Sequence, residues 1–220
     1  MSGHRAHFLP CSVLMKFTEA DIRARAVKGL LRDIPRSPSR GDDDLNAAAP
    51  MIPPGIKPKP AAVLVPIVLR AGEPTVLLTQ RTDTLSSHAG QVAFPGGRID
   101  ATDRDAVDAA LREAEEEIGL ARAFVEPLGF LDTYVTVTAF HVVPVVAMVQ
   151  PGFVVTPHAG EVSAVFEVPL RFLMTAANHE KHSRQWQGVE RHYYAMPFEE
   201  RYIWGATAGM IRNLYDRLYA

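Results

Sequence analysis

The 220-residue chain has a single cysteine, which excludes an internal disulfide framework and suits a reducing compartment. No apolar run reaches the length of a transmembrane helix, and His4, Arg5 and His7 interrupt any signal-peptide core near the N-terminus. The formal net charge of −2 offers no excess of positive charge for nucleic acid or an anionic membrane. These absences predict a cytoplasmic globular protein that binds neither nucleic acid nor membrane.

The composition divides the chain into an extension and a folded domain. Thr18 is a candidate helix cap, and apolar residues follow it at helical spacing, so a short helix is predicted near residues 17–31. Residues 34–60 contain seven prolines and predict a linker with little fixed structure. We therefore expect an N-terminal extension over residues 1–60 and a folded domain over residues 61–220. The extension's helix is expected to dock on the domain or on a partner subunit.

The folded domain combines apolar, β-branched runs with two amphipathic helices. The continuous apolar run 62–69 predicts a buried strand that forms a hairpin with residues 75–80. Strands interspersed with helices predict an α+β domain in which a mixed sheet lies between helices. The other predicted elements are strands over 92–94, 125–134, 141–149, 163–168 and 193–196, a helical turn over 170–175, and helices over 105–118 and 202–219. The apolar stripe of the first of these helices consists of Val107, Ala110, Leu111, Ala114 and Ile118.

That helix also carries a face of acidic residues. Glu113, Glu116 and Glu117 are spaced i, i+3, i+4, so their carboxylates are neighbours and repel one another. The helix macrodipole disfavours negative charge in these last turns, which end at the candidate cap Gly119. A hard divalent cation such as Mg²⁺ or Mn²⁺ would offset this repulsion. An acidic, solvated helix end is the alternative explanation for the three glutamates alone.

The residues around these glutamates match a known motif. Arg112-Glu113-Ala114, Glu116-Glu117 and Gly119-Leu120 resemble the second half of the Nudix box, G-x5-E-x7-R-E-U-x-E-E-x-G-U, where U is apolar. The first half departs from it, because Asp103 replaces the glutamate and the box is one residue longer. The insertion falls before the helix and leaves the acidic face intact. The chain is thus identified as a member of the Nudix hydrolases, which implies an α/β/α sandwich.

The flanks of the box resemble a subfamily, the bacterial coenzyme A diphosphatases. The signature L-L-T-x-R-(S/A)-x3-R-x3-G-x3-F-P-G-G is similar to the run from Leu77 to Arg81, followed by Gly90 and Phe94-Pro95-Gly96-Gly97. Thr82 replaces the Ser or Ala, and Ser86 replaces the second arginine, which removes a donor fork suited to a phosphate. The resemblance implies hydrolysis of coenzyme A or its derivatives to 3′,5′-ADP and 4′-phosphopantetheine.

The resemblance also implies roles for individual residues. Glu116 and Glu117 would be the principal metal ligands, the carbonyl of Gly97 a further ligand, and Glu113 either a ligand or the base that orients water. Arg112 would hold the glutamates in position, in part as an i, i+4 salt-bridge partner.

A second group of residues is expected outside the box. Glu161, in a loop before a strand, is an alternative general base or a solvent-facing acid. Arg81 ends a strand near the site, so it either holds a phosphate or lies on a polar surface. His88 either contacts the substrate or packs in its turn. The remaining candidate substrate-binding residues are Gly90, Phe94 and Gly96.

Three other functions compete with hydrolysis of coenzyme A. The same fold could act on ADP-ribose, NADH or another nucleoside diphosphate derivative. A non-catalytic Nudix-fold binding or regulatory module is disfavoured, because such proteins usually lose glutamates that are all present here. A globular protein with a structural metal site leaves Phe94-Pro95-Gly96-Gly97 unexplained. The family resemblance is also compatible with a homodimer.

Overall fold

The computed structural model describes residues 17–35, 37–46, 55–83, 89–186 and 188–220. Within these ranges there are four α-helices and twelve strands. The helices are α1 (Glu19–Gly29), α2 (Ala106–Ile118), α3 (Leu170–Leu173) and α4 (Ala206–Leu218). The strands are β1 (Arg40–Gly41), β2 (Lys59–Val68), β3 (Thr75–Arg81), β4 (Val92–Ala93), β5 (Gly96–Arg98), β6 (Val125–Phe130), β7 (Tyr134–Val135), β8 (Phe140–Val149), β9 (Val162–Pro169), β10 (Glu180–Trp186), β11 (Val189–Phe198) and β12 (Arg201–Trp204).

The described strands form a large mixed sheet and a small antiparallel one. In the large sheet the order is β1-β7-β8-β2-β3-β4, with β5 paired to β2, β6 to β8 and β9 to β3. The β2–β8 and β1–β7 pairs are parallel and the other pairs are antiparallel. The small sheet has the order β10-β11-β12. The predicted hairpin is the antiparallel pair β2–β3.

The large sheet is buried on both faces, which explains why β2 is almost continuously apolar. Ala62 and Leu64 of β2 belong to a core cluster with α2, whereas Val65 and Ile67 belong to a second cluster that includes residues of α1 and α4. Successive side chains of a strand point to opposite faces, so α2 covers one face and α1 and α4 cover the other. The predicted α/β/α arrangement is confirmed.

Two prolines mark the places where the large sheet forks. Pro66 of β2 lies between the segment paired with β5, residues 61–63, and the segment paired with β3, residues 67–68. Pro144 of β8 lies between the segments paired with β7 and β6. Proline donates no hydrogen bond, so it is tolerated where one strand partner leaves and the next has not begun. At Pro66, β2 changes its partner from β5 to β3. β5 is the strand that comes directly before the acidic helix α2 in the chain.

The C-terminal helix is shorter than expected. Residues 202–204, predicted as its first residues, belong to β12, whose Ile203 pairs with Met196 of β11. Gly205 then has φ 63°, a left-handed conformation that ends the strand, and α4 begins at Ala206. The apolar spacing over residues 203–218 does not distinguish the end of a strand from the start of a helix.

The described part of the extension packs against the domain. α1 lies inside the range predicted for a helix, Thr18 caps it, and its residues Ile22 and Ala26 are buried in the same core cluster as α4. The expectation of little fixed structure over residues 34–60 is wrong for residues 40–46, and also for Lys59 and Pro60, which begin β2. Arg40 and Gly41 pair with β7, and Asn46 is 8% exposed. None of the helices in the described ranges is long and apolar enough to cross a membrane.

Candidate active site

The acidic helix α2 has well-defined ends. The side chain of Asp105 accepts a hydrogen bond from the backbone N–H of Asp108 at 2.8 Å and caps the N-terminus. Gly119 adopts φ 69° and donates its N–H to the carbonyl of Glu115, as the sequence predicts for a C-terminal cap. These caps fix the length of α2 and place Glu113, Glu116 and Glu117 in its last two turns.

α2 packs on the sheet through small residues. Ala106, Ala109, Ala110, Ala114 and Ile118 are buried, whereas Val107 and Leu111 of the predicted stripe are half-buried at its edge. The stripe is thus centred on alanines, which allow the helix backbone to approach β2 and β8 closely. The predicted stripe is confirmed, because Ala110, Ala114 and Ile118 are buried and Val107 and Leu111 pack against the same core cluster.

The strand β5 brings two glycines against this helix. Gly96 pairs with Val63 and Gly97 with Ala62. A Cβ on Gly96 would lie 2.5 Å from the carbonyl oxygen of Ala62, and one on Gly97 would lie 2.5 Å from the carboxylate of Glu113. The glycines are therefore required for the close approach of β5 to β2 on one side and to Glu113 on the other.

Glu117 is a buried carboxylate, with 4% of the residue exposed. Its Oε2 accepts a hydrogen bond from the N–H of Gly96 at 3.1 Å, and its Oε1 lies 3.8 Å from Nη1 of Arg81. Burial raises the pKa of Glu117 to about 7, and the nearby Glu113 and Glu161 add to this rise, against the effects of Gly96 and Arg81. A buried acid with so few neutralising partners is a candidate cation ligand.

Arg112 holds the other two glutamates. Its Nη1 donates to Oε1 of Glu113 at 3.0 Å and to Oε2 of Glu116 at 2.9 Å. Its Nε and Nη2 bond both oxygens of Asp103, at 2.8 and 3.0 Å. Asp103 thus supplies the bidentate carboxylate that fixes the Arg112 guanidinium. Burial raises the pKa of Glu113, with Glu116 and Glu161 adding to the rise and Arg112 opposing it.

The loop that carries Glu161 is tied to the end of α2. The N–H groups of Thr156 and His158 donate to the carbonyls of Ile118 and Glu117, both at 2.8 Å. Glu161 itself is exposed and lies 3.6 Å from Nδ1 of His158. Because its charge acts on both Glu113 and Glu117, the fold brings this predicted residue to the acidic cluster.

A cleft of about 550 Å³ opens on the other side of the glycine strand. Arg81, Phe94, Gly96 and Gly97 are among the residues that line it. Of these four predicted residues, Arg81, Gly96 and Gly97 also lie against Glu113 or Glu117. Nε of Arg81 is buried without a hydrogen-bond partner among the described residues, which favours the interpretation of Arg81 as a phosphate-binding residue. Phe94 is 3% exposed and forms part of the core as well as of the cleft.

Two predicted residues lie elsewhere. Gly90, with φ 67°, occupies a turn in which a Cβ would meet Oδ1 of Asp83 at 2.7 Å, and it is not among the residues that line the described cleft. His88 and the substituted Ser86 lie outside the described residues.

Residues of the N-terminal extension form part of the wall of the cleft, which the sequence did not predict. Asp42 lines the cleft, and its carboxylate accepts hydrogen bonds from the Tyr134 hydroxyl at 2.9 Å and from the N–H of Val137 at 2.7 Å. Burial raises the pKa of Asp42. Asn46 of the same segment bonds the backbone of His192 in β11. These contacts join residues about 90 to 150 positions apart, for which local sequence patterns give no signal.

Comparison with known proteins identifies this arrangement. A model of the NUDIX domain matches residues 58–201. The chain belongs to the Nudix family. It is 44% identical over 154 residues to the uncharacterized Nudix hydrolase NudL of Escherichia coli strain K12, across 70% of this chain and 80% of NudL. The predicted family and the predicted hydrolase class are confirmed.

Solved Nudix structures are more distant. A Caenorhabditis elegans Ap4A hydrolase, in a binary complex, is 23% identical with a TM-score of 0.44, over 50% of this chain and 80% of that one. The NUDIX domain of Shewanella oneidensis NrtR, complexed with ADP ribose, is 21% identical with a TM-score of 0.42, over 53% and 75% of the two chains.

Nudix hydrolases use divalent metal ions, and the donor set of this chain fits one. Glu113 and Glu117 are held in a low-polarity site where burial and mutual repulsion disfavour their charged forms, and carboxylate oxygens suit a hard cation. No three acidic, histidine or cysteine side chains within the described ranges are already arranged as a metal site. Glu116 instead accepts a hydrogen bond from Arg112.

Proposed function

We propose that this Nudix hydrolase cleaves the diphosphate linkage of coenzyme A or its derivatives, with 3′,5′-ADP and 4′-phosphopantetheine as products. The observation that carries the proposal is the position of β5. Gly96 and Gly97 contact the acidic cluster on one side and line the cleft on the other. A diphosphate laid along this strand would meet Arg81 and the glutamates together. The signature around Arg81 and Phe94-Pro95-Gly96-Gly97 supports coenzyme A as the substrate.

In this mechanism Glu113, Glu116 and Glu117 would hold Mg²⁺ or Mn²⁺, with the Gly97 carbonyl as a further ligand. When bound, the ion would neutralise the diphosphate charge and lower the pKa of an attacking water. Arg81 binds a phosphate oxygen through a guanidinium that lacks a full set of partners. Arg112, fixed by Asp103, positions Glu113 and Glu116.

Two residues are candidates for the general base. Glu113 lies against Gly97 in the cluster, and Glu161 lies on the loop anchored to the end of α2. The base removes a proton from water, and the water oxygen attacks one phosphorus. The bond between that phosphorus and the bridging oxygen breaks, and the leaving phosphate takes the negative charge. Comparison of the pH–rate profiles of Glu113→Gln and Glu161→Gln distinguishes them, because the variant that lacks the base loses the limb of the profile that reports it.

The test is product analysis with purified protein, coenzyme A, ADP-ribose and NADH, in Mg²⁺ or Mn²⁺. We expect 3′,5′-ADP from coenzyme A and loss of turnover in Glu117→Gln. Glu115→Gln is the matched control, since Glu115 lies on the same helix with 51% of its side chain exposed. Cleavage of ADP-ribose or NADH in preference to coenzyme A would retain the Nudix chemistry and reject the proposed substrate. Binding of these compounds without turnover would favour a regulatory module.

A cytoplasmic location and a homodimer complete the proposal. The single cysteine supports the location. The dimer rests on the family resemblance and is tested by light scattering of the purified chain.

A further inference from the structure

We propose that the part of the cleft wall formed by Arg184, Arg191, Trp186 and Trp204 is a second anion site that binds a phosphate monoester next to a heteroaromatic base. This site would select substrates that carry a phosphate beyond the diphosphate. The inference rests on the proposed function, because it names the part of a coenzyme A-like substrate that the cleft reads. The four residues lie on the small sheet, remote in sequence from the Nudix box.

The lining of the cleft carries an excess of positive charge. The whole chain has a formal charge of −2, but the side chains that line the cleft include six arginines and two aspartates. The aspartates are Asp42 and Asp44. The arginines are Arg40, Arg81, Arg98, Arg184, Arg191 and Arg212. A concave surface with this excess of positive charge attracts a polyanion.

Some of these arginines have a carboxylate partner and others do not. Asp216 bonds both Arg40 and Arg212 at 2.9 Å, and Arg81 faces Glu117. Among the described residues, no carboxylate lies within 4.0 Å of the guanidinium nitrogens of Arg98 or Arg184. Arg98 follows the glycines of β5 in the large sheet, whereas Arg184 lies on β10 in the small sheet. The two unneutralised cations therefore lie on different sheets that line the cleft, which predicts two anionic groups on the ligand.

The register of the small sheet places two like charges side by side. Arg184 and Arg191 are directly opposite each other on β10 and β11. Like charges at such paired positions repel each other and disfavour the pairing, and Arg184 has no carboxylate within 4.0 Å among the described residues. A phosphate between the two guanidinium groups would convert this repulsion into two charge-assisted hydrogen-bond pairs.

Aromatic rings hold these cations and offer a surface for a base. The guanidinium carbon of Arg184 lies 4.7 Å from the ring centroid of Trp204, and that of Arg191 lies 6.0 Å from the ring of Trp186. Tyr193 packs edge-on against Trp204, with 5.3 Å between ring centroids. Arginine beside aromatic faces is the combination that binds a nucleotide base together with its phosphate.

The chemistry of the candidate substrates separates them. Coenzyme A carries a 3′-phosphate on its adenosine in addition to the diphosphate, whereas ADP-ribose and NADH carry the diphosphate alone. A second anion site therefore favours the first compound over the other two.

The test compares kcat/KM for coenzyme A and for 3′-dephospho-coenzyme A. We expect the wild-type protein to prefer coenzyme A by about tenfold or more, since a charge-assisted hydrogen bond has this effect on affinity. In Arg184→Gln the ratio should fall to about one, with Arg191→Gln changing it in the same direction. Arg32→Gln is the control, because Arg32 is an exposed arginine outside the cleft. Equal melting temperatures of the variants exclude loss of folding.

The outcomes separate the inference from the proposed function. Cleavage of coenzyme A without preference for the 3′-phosphate, or with a preference that Arg184→Gln retains, would overturn the second anion site and leave the proposed function intact. If coenzyme A is not cleaved, calorimetric binding of adenosine 3′,5′-bisphosphate and 5′-AMP decides. Tighter binding of the bisphosphate, lost in Arg184→Gln, supports the site without the activity, and equal binding overturns it.

Discussion

Arg112 is fixed to Asp103 by two hydrogen bonds of 2.8 and 3.0 Å, and the same guanidinium contacts Glu113 and Glu116. Asp103 is the residue that departs from the consensus of the Nudix box. Asp103 is shorter than the glutamate of the motif, and the segment before α2 is one residue longer. The carboxylate of Asp103 nevertheless contacts Arg112.

This relationship predicts that Asp103→Asn lowers activity although Asp103 touches no substrate. Without the second charged oxygen the guanidinium loses its fixed plane, so Glu113 and Glu116 lose their alignment. We expect kcat/KM to fall ~10- to 100-fold, the usual effect of altering a residue that orients metal ligands. Steady-state kinetics with coenzyme A measure it. The control is Asp100→Asn, since Asp100 is 63% exposed on its side chain and 3.8 Å from Arg112. Equal activity of the two variants would show that Asp103 does not position Arg112.

A second prediction concerns Gly97. In Gly97→Ala the new Cβ would lie 2.5 Å from the carboxylate of Glu113, the end of a flexible side chain that moves at little energetic cost. We therefore expect a nearly unchanged melting temperature together with weaker metal binding and a fall in kcat. Isothermal titration with Mn²⁺ and thermal melts measure the two quantities. Gly72→Ala is the control, because nothing lies within 4 Å of a Cβ there. A large drop in melting temperature with unchanged metal affinity would contradict this account.

The acidic helix could be predicted from the sequence because its signals are local. The periodicity of α2, the cap at Gly119 and the shared face of the glutamates all depend on residues within four positions of one another. The bidentate contact of Asp103 was not predicted, although Asp103 was recognised as a substitution. Its distance from Arg112 depends on the path of the turn between them, which no periodicity specifies.

The cleft could not be predicted in the same way. Its lining combines Arg40 and Asp42 of the extension with Trp186 and Trp204 of the small sheet, which are far apart in sequence. The many prolines of the extension indicated an irregular backbone. An irregular segment can still have a fixed position when its side chains form hydrogen bonds with the domain. Asp42 has such a position through Tyr134. Composition reports on secondary structure and leaves tertiary anchoring undetermined.

The anchoring of the extension gives a third prediction. Asn46 donates to the carbonyl of His192 at 2.8 Å and accepts from the His192 N–H at 2.9 Å, and it also donates to the carbonyl of Asp42. Asn46→Ala leaves these half-buried backbone groups without their partner. We expect the free energy of unfolding to fall by about 1–3 kcal/mol. We also expect KM to rise more than kcat falls, because the loosened segment is a wall of the cleft and does not carry the glutamates.

Urea denaturation and steady-state kinetics of Asn46→Ala test both parts. Lys57→Ala is the control, since Lys57 is an exposed residue of the same extension. A change in kcat with unchanged KM would place the effect at the acidic cluster and contradict the assignment of Asn46 to the cleft wall.

The last prediction uses pH to probe the contact between α4 and the loop before β7. Asp132 bonds Arg217 through both oxygens, at 2.6 and 2.8 Å, and accepts further hydrogen bonds from Asn213 and Ser39. Burial would raise the pKa of Asp132, but these partners outweigh it and lower the pKa from its ordinary value of 3.8 to about 2. The folded state therefore favours the charged form. Its contribution to stability is complete above about pH 4 and is lost as the pH falls toward 2.

We accordingly expect Asp132→Asn to lower the free energy of unfolding by about 1 kcal/mol at pH 7, after allowance for solvent screening. The difference from the wild-type protein should shrink as the pH falls from about 4 to about 2, because the wild-type carboxylate is then protonated as well. Urea denaturation across this range measures the difference between the two proteins, which cancels the effect of other titrating acids. Asp33→Asn, at an exposed position, should show no such trend. A difference that stays constant with pH would mean that Asp132 stabilises the fold through its shape and neutral hydrogen bonds, with no role for its charge.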